Sequence, residues 1–204
     1  MKTILAFGDS LTWGSCPFTG GRHPKEDRWP EAMAKGLPDV EVITEALRGR
    51  TTAYYRAGVA EYRGDLILPT LLHSHAPIDL VMIMLGTNDI YSGIPNHQIW
   101  WGARRLVELV RHHPFANPDH PTPQVLLISP PTFTPDRMLG ISAEMAAQVR
   151  ELNTMLAELA QEFEIPFFDA ATVAYAEAGD GLHLARVHQA LVACLQGSDG
   201  FRIS

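Results

Sequence analysis

Cysteine is nearly absent from this chain of 204 residues: there are two, Cys16 and Cys194, far apart and in no metal-binding spacing. That excludes a disulfide framework as the stabilising device, and nothing else points to an oxidising compartment. Cys16 follows Ser10 closely but carries no local signature of a cysteine nucleophile, and reads as a loop thiol. Long apolar runs are missing too. None approaches the roughly 20 residues needed to cross a bilayer. The N-terminal apolar stretch is short and lacks a small-residue cleavage site, so no secretion signal is legible and a cytoplasmic location is expected. Basic charge is in deficit: 16 Lys and Arg stand against 23 Asp and Glu, a net charge of −7. That balance argues against nucleic acid as a partner and disfavours an anionic membrane surface. There is no internal repeat, low-complexity tract or linker. The remaining composition, 46% apolar and 19% charged, is that of a globular protein whose length suits one buried core, so residues 1–204 are read as a single domain.

What is present is an alternation. Strand-length apolar runs occur at 3–7, 40–47, 78–85, 124–129 and 165–170, and the central ones are continuously apolar, as parallel strands covered on both faces should be. Helical patterns lie between and after them, at 27–37, 95–113, 142–164 and about 184–196. Pro30 stands near the first turn of the 27–37 segment, and Ser142 is a candidate N-cap. Five strands alternating with helices imply a doubly wound α/β sheet, whose ligands bind at the carboxyl ends of the strands.

The residues just past those ends carry the chemistry. Gly8-Asp9-Ser10 follows the first strand, Gly49 the second, Gly86-Thr87-Asn88-Asp89 the third, and Asp180-Gly181-Leu182-His183 comes after the fifth. A serine hydroxyl needs a base to take its proton, and His183 serves if its other ring nitrogen is anchored. Asp180, three residues earlier across a glycine turn, is placed to anchor it. The backbone N–H groups of Ser10 and Gly49 and the Asn88 amide supply donors for an oxyanion. Standing alone, Ser10 would read as a helix N-cap and Asn88 as a cap of the next segment; the four segments together favour a nucleophile and an oxyanion donor. The turn is not the Gly-x-Ser-x-Gly elbow of α/β-hydrolases, because the second glycine is missing.

"FGDSLTWG", Gly49 in "LRGRTT", "GTND" and "DGLH" resemble the four sequence blocks of the SGNH hydrolases, or GDSL esterases, across residues 3 to about 195. "EDRWP", "GRTT" and "IMLGTND" are similar to the bacterial arylesterase and acyltransferase branch of that family. The resemblance implies a flavodoxin-like three-layer α/β/α sandwich on a five-stranded parallel sheet. It implies Ser10 as nucleophile, His183 as base, Asp180 as its partner, and Gly49 and Asn88 as oxyanion donors. It further implies hydrolysis of short-chain or aryl esters without metal or cofactor, acyl transfer to alcohols or peroxide in some members, and homo-oligomers in some. An O-acetyl carbohydrate esterase is the alternative of the same chemistry. Arg48 departs from the family, since relatives often carry a second glycine or a less charged residue there, and this alters the width or polarity of that corner. Ala185-Arg186-Val187 replaces an acid-rich helix start. A phosphoacceptor receiver domain, the non-catalytic reading of such a sheet, is disfavoured by a single acid after the first strand and no lysine after the fifth.

Other residues are assigned plainer roles. Asp9 should bond local backbone N–H groups and Asp89 should cap its own segment. Asp169, the rival to Asp180, should cap the turn after the last strand. His73, His75, His112 and His113 are expected at helix ends rather than on a metal, and His188 is expected to be structural. Trp13 is weighed equally as a wall of the acyl pocket and as core. Trp100 and Trp101, about 100° apart on a helix, cannot both face one core, so one should face a lid or another subunit.

Overall fold

The computed structural model describes residues 1–115, 121–136, 139–174, 176 and 180–184. Strands β1 (Lys2–Gly8), β2 (Val40–Ala46), β3 (Leu80–Met84), β4 (Gln124–Ile128) and β5 (Phe167–Phe168) form one sheet. All are parallel, in the order β2-β1-β3-β4-β5. This is the flavodoxin-like order. Its switch point falls between β1 and β3, because the chain runs from β1 to one side and then returns to the other.

Successive side chains on a strand point to opposite faces, so each central strand feeds two cores. Leu5, Phe7, Val81, Ile83, Val125 and Leu127 face one core. Helices α3 (Gly64–Ser74), α5 (Asn96–Arg111) and α6 (Ala143–Glu162) cover it through Leu68, Leu72, Ile99, Leu106, Leu152 and Leu156. Ile4, Ala6, Leu80, Met82, Leu126 and Ile128 face the other, beneath α1 (Ser10–Trp13) and α2 (Trp29–Ala34) with Leu11, Trp29 and Met33. All five residues of β3 are buried, as the continuous apolar run predicts. Ser142 caps α6, its hydroxyl accepting from the Met145 N–H at 3.2 Å.

The elements differ from expectation at several places. Of the expected 27–37 helix only α2 forms, preceded by a 3-10 turn, Lys25–Asp27. Helix α3, with Pro69 inside it, and α4 (Thr87–Tyr91) have no counterpart in the helical patterns of the sequence. Strand β5 is cut to two residues at the sheet edge, where Asp169 accepts the Ala171 N–H and opens a 3-10 turn. The expected helix at about 184–196, with His188 and Cys194, lies outside the described residues.

Candidate active site

Three strand ends converge at the switch point. Ser10 begins α1 directly after β1, and Asp9 holds that turn by accepting the Leu11 N–H at 2.9 Å. Asn88 stands in α4 after β3, and Gly49 in the loop after β2. Gly49 has φ +90°, a conformation that favours glycine, and a Cβ there would lie 2.5 Å from an Arg56 nitrogen and 3.0 Å from the Tyr62 ring.

The segment Asp180–Leu184 returns across this edge. Gly181, φ +70°, makes its turn tight: a Cβ would lie 2.2 Å from the Thr134 carbonyl, and the Thr134 N–H donates to Gly181 O at 3.0 Å. Asp180 Oδ1 accepts the N–H groups of Leu182 and His183 at 2.9 and 2.8 Å. Its Oδ2 lies 2.7 Å from His183 Nδ1, and His183 Nε2 lies 2.9 Å from Ser10 Oγ. The result is an unbroken line, carboxylate to imidazole to hydroxyl. Burial pushes the Asp180 carboxyl up, but the His183 N–H and imidazole and the Leu182 N–H outweigh it and hold the group below its ordinary value. A carboxylate that stays ionised fixes the Nδ1–H tautomer, leaving Nε2 to accept from serine.

These groups line a cavity of about 410 Å³ with Gly49 and Asn88, a size suited to a small molecule. The N–H groups of Ser10 and Gly49 have no acceptor among the described residues. Asn88 borders the cavity, but in this state its Nδ2 donates to Asp9 Oδ2 at 3.2 Å and Arg50 O at 3.0 Å. Its Oδ1 accepts from Arg56 Nη1 at 3.1 Å. Under this layer lie two buried acids. Burial pushes Asp9 up to about 7, with Asp89 adding to the push and the Leu11 N–H and Arg50 opposing it. Burial likewise brings Asp89 to about 6, against the pull of the Thr52 hydroxyl and N–H.

Two expectations are corrected. Asp89 does not cap its own segment: its carboxylate reaches across to Thr52, accepting the hydroxyl at 2.7 Å and the N–H at 3.1 Å, and so pins the loop after β2. Trp13 is not in the cavity wall. It is half-buried between the guanidinium groups of Arg22 and Arg48, 4.7 and 5.3 Å from its ring centre, and Arg48 takes the place at the wall. Cavity-lining residues without a motif signal are Ser15, Arg56, Tyr62, Tyr91 and Leu139. They come from loops and helix ends with no periodicity to reveal them. Cys16 also lines the cavity, its thiol lowered chiefly by the Thr19 hydroxyl.

Asp169 lies elsewhere. It accepts from Ser129 Oγ at 2.8 Å, Asn153 Nδ2 at 3.2 Å and the Ala171 N–H at 3.0 Å, tying the ends of β4 and β5 to α6. The paired histidines sit at helix ends: His75 and His112 follow α3 and α5, and His73 Nδ1 meets His113 Nε2 at 2.9 Å. No group of three or more potential metal ligands occurs among the described residues. Trp101 is 58% exposed while Trp100 packs against the core.

The chain is similar to several known proteins. A carbohydrate acetylesterase family member from Sinorhizobium meliloti is 37% identical, covering 97% of this chain and 100% of its own, with a TM-score of 0.86. The native aryl esterase of M. smegmatis is 34% identical over 94% of this chain and 97% of its own, also at 0.86. A curated arylesterase of Vibrio mimicus is 34% identical over 114 residues, a match that spans 54% of this chain and 49% of that relative's length. The family model for the GDSL-like lipase/acylhydrolases matches residues 6–188. With that model spanning most of the sheet and the edge on which Ser10 and His183 meet, the chain belongs to the GDSL-like lipase/acylhydrolase family.

Proposed function

We propose that this protein is a serine esterase that cleaves short-chain acyl or aryl esters through an acyl-enzyme. The observation that carries the reading is the line from Ser10 Oγ to His183 Nε2 (2.9 Å) and from His183 Nδ1 to Asp180 Oδ2 (2.7 Å), opening on a cavity with two unbonded backbone N–H groups. Ser10 Oγ attacks the ester carbonyl as its proton passes to His183 Nε2, and Asp180 stabilises the resulting imidazolium. The carbonyl oxygen becomes an oxyanion held by the N–H groups of Ser10 and Gly49; the Asn88 amide joins them by exchanging its bond to Arg50 O for one to the oxyanion. The imidazolium then protonates the departing alkoxide. Water repeats the sequence on the acyl-enzyme, giving its proton to His183 and releasing the acid. Where an alcohol or peroxide replaces water, the same step transfers the acyl group. Acetyl esters of carbohydrates are the second reading, favoured by the likeness to the S. meliloti protein.

The test is the initial rate on p-nitrophenyl esters of increasing acyl length, wild type beside Ser10→Ala. Acetate turned over best and a dead variant are the expected result. A preference for long chains would overturn the short-acyl assignment, and an active Ser10→Ala would overturn the mechanism.

A further inference from the structure

Two arginines face the cavity, and neither has a carboxylate partner among the described residues. Arg48 donates Nη1 to Gly20 O at 3.3 Å and lies over Trp13. Arg56 donates Nη1 to Asn88 Oδ1 at 3.1 Å, and its guanidinium lies 5.9 and 5.8 Å from the ring centres of Tyr62 and Tyr91, both of which also line the cavity. The two rings and the amide hold Arg56 in place while most of its five N–H donors remain unused. The carboxylate in the wall, Asp180, is committed to His183, and Asp9 lies behind the Asn88 amide. Ser15 also lines the cavity, and its buried hydroxyl has no partner. The cavity wall of a chain of net charge −7 thus carries two guanidinium groups against one carboxylate, and that carboxylate is turned to His183. A neutral acetyl or aryl ester would use neither guanidinium, whereas a carboxylate matches the planar fork of Arg56.

We infer that the substrate is an ester that itself bears a carboxylate, bound by Arg56 with Arg48 supporting it at the mouth. This rests on the esterase reading and narrows its substrate class. The deciding experiment measures kcat/KM for two matched pairs: 4-nitrophenyl hydrogen adipate beside its methyl ester, and 4-acetoxybenzoate beside its methyl ester. The first pair places the anion on the acyl side, the second on the alcohol side. Comparing wild type with Arg56→Gln, Arg56→Lys and Arg48→Gln cancels intrinsic reactivity. In at least one pair, Arg56→Gln should lower the anionic-to-neutral ratio on the order of tenfold, mostly through KM, with Arg56→Lys restoring part of it. The wild-type ratio should fall with added salt. If Arg56→Gln slows both members of each pair equally, Arg56 only positions Asn88 and the inference falls. An unchanged ratio in both pairs overturns it as well. Should no ester of the four be turned over, the esterase reading fails separately. The anion site is then decided by titrating 4-nitrophenyl hydrogen adipate into Ser10→Ala with and without Arg56→Gln, equal affinities sinking it.

Discussion

At the scale of single residues, the two candidate carboxylates have different surroundings and should fail differently when neutralised. Asp180 gives both oxygens to the His183 loop, two bonds to backbone and one to the imidazole. Asp180→Asn should keep the turn through its remaining carbonyl oxygen yet present an amide that favours the wrong imidazole tautomer. The expected loss in kcat is about ten-thousandfold with the fold intact by circular dichroism. Asp169 touches Ser129, Asn153 and Ala171 and neither Ser10 nor His183. Asp169→Asn should lower the denaturation midpoint and leave turnover per folded molecule close to wild type. If the two variants exchanged phenotypes, the assignment of Asp180 would be wrong.

At the scale of elements, the parts that were legible in the sequence are those whose signal is local. Continuous apolar runs marked β1, β3 and β4 because burial on both faces leaves no polar positions to interrupt them. Helices α5 and α6 were legible because each buries one stripe. Helix α3 was not: it opens on Gly64, carries Pro69, and buries chiefly Leu68 and Leu72 on a segment that is apolar on several sides, so its periodicity is blurred. The meeting of Ser10, His183 and Asp180 was legible because each member stands in a short motif after a strand. The rest of the wall was not, since Arg56, Tyr62 and Leu139 reach the cavity from loops whose course is decided by tertiary contacts such as that of Asp89 with Thr52. The Asp180–Leu184 turn offers a sharper check on how an element positions chemistry. Gly181→Ala puts a methyl at φ +70° against the Thr134 carbonyl. It should cost at least about 1–3 kcal/mol in chemical denaturation. It should also depress kcat far more than a fall in stability of that size explains, because His183 moves with the turn. Wild-type kcat in a stably folded variant would show that the turn does not set the imidazole.

At the scale of the whole molecule, two buried acids under the site tie stability to pH. Asp9 and Asp89 have folded values of about 7 and about 6, above the ordinary 3.8. The folded state therefore holds more protons than the unfolded one between 3.8 and about 7, and stability falls as pH rises through that window. Asp180 has the opposite sign: held below 3.8, it stabilises the fold above that value and loses its contribution as pH drops further. The denaturation midpoint should accordingly be higher near pH 5 than near pH 8. Asp9→Asn, neutral throughout, should flatten that slope, which for one group reaches at most about 1.4 kcal/mol per pH unit. A wild type equally stable at both values would mean that these acids ionise without penalty.

His183, whose Nε2 lies 2.9 Å from Ser10 Oγ, stands 173 residues further along the chain. Protein synthesis proceeds from the N-terminus at about 5–20 residues per second, so roughly 9 to 35 seconds separate the making of the serine from the making of His183. Throughout that interval the Ser10 hydroxyl lacks the His183 imidazole beside it. On the proposed mechanism the growing polypeptide should be silent toward esters, and should become reactive only when a late-made segment closes over an early one.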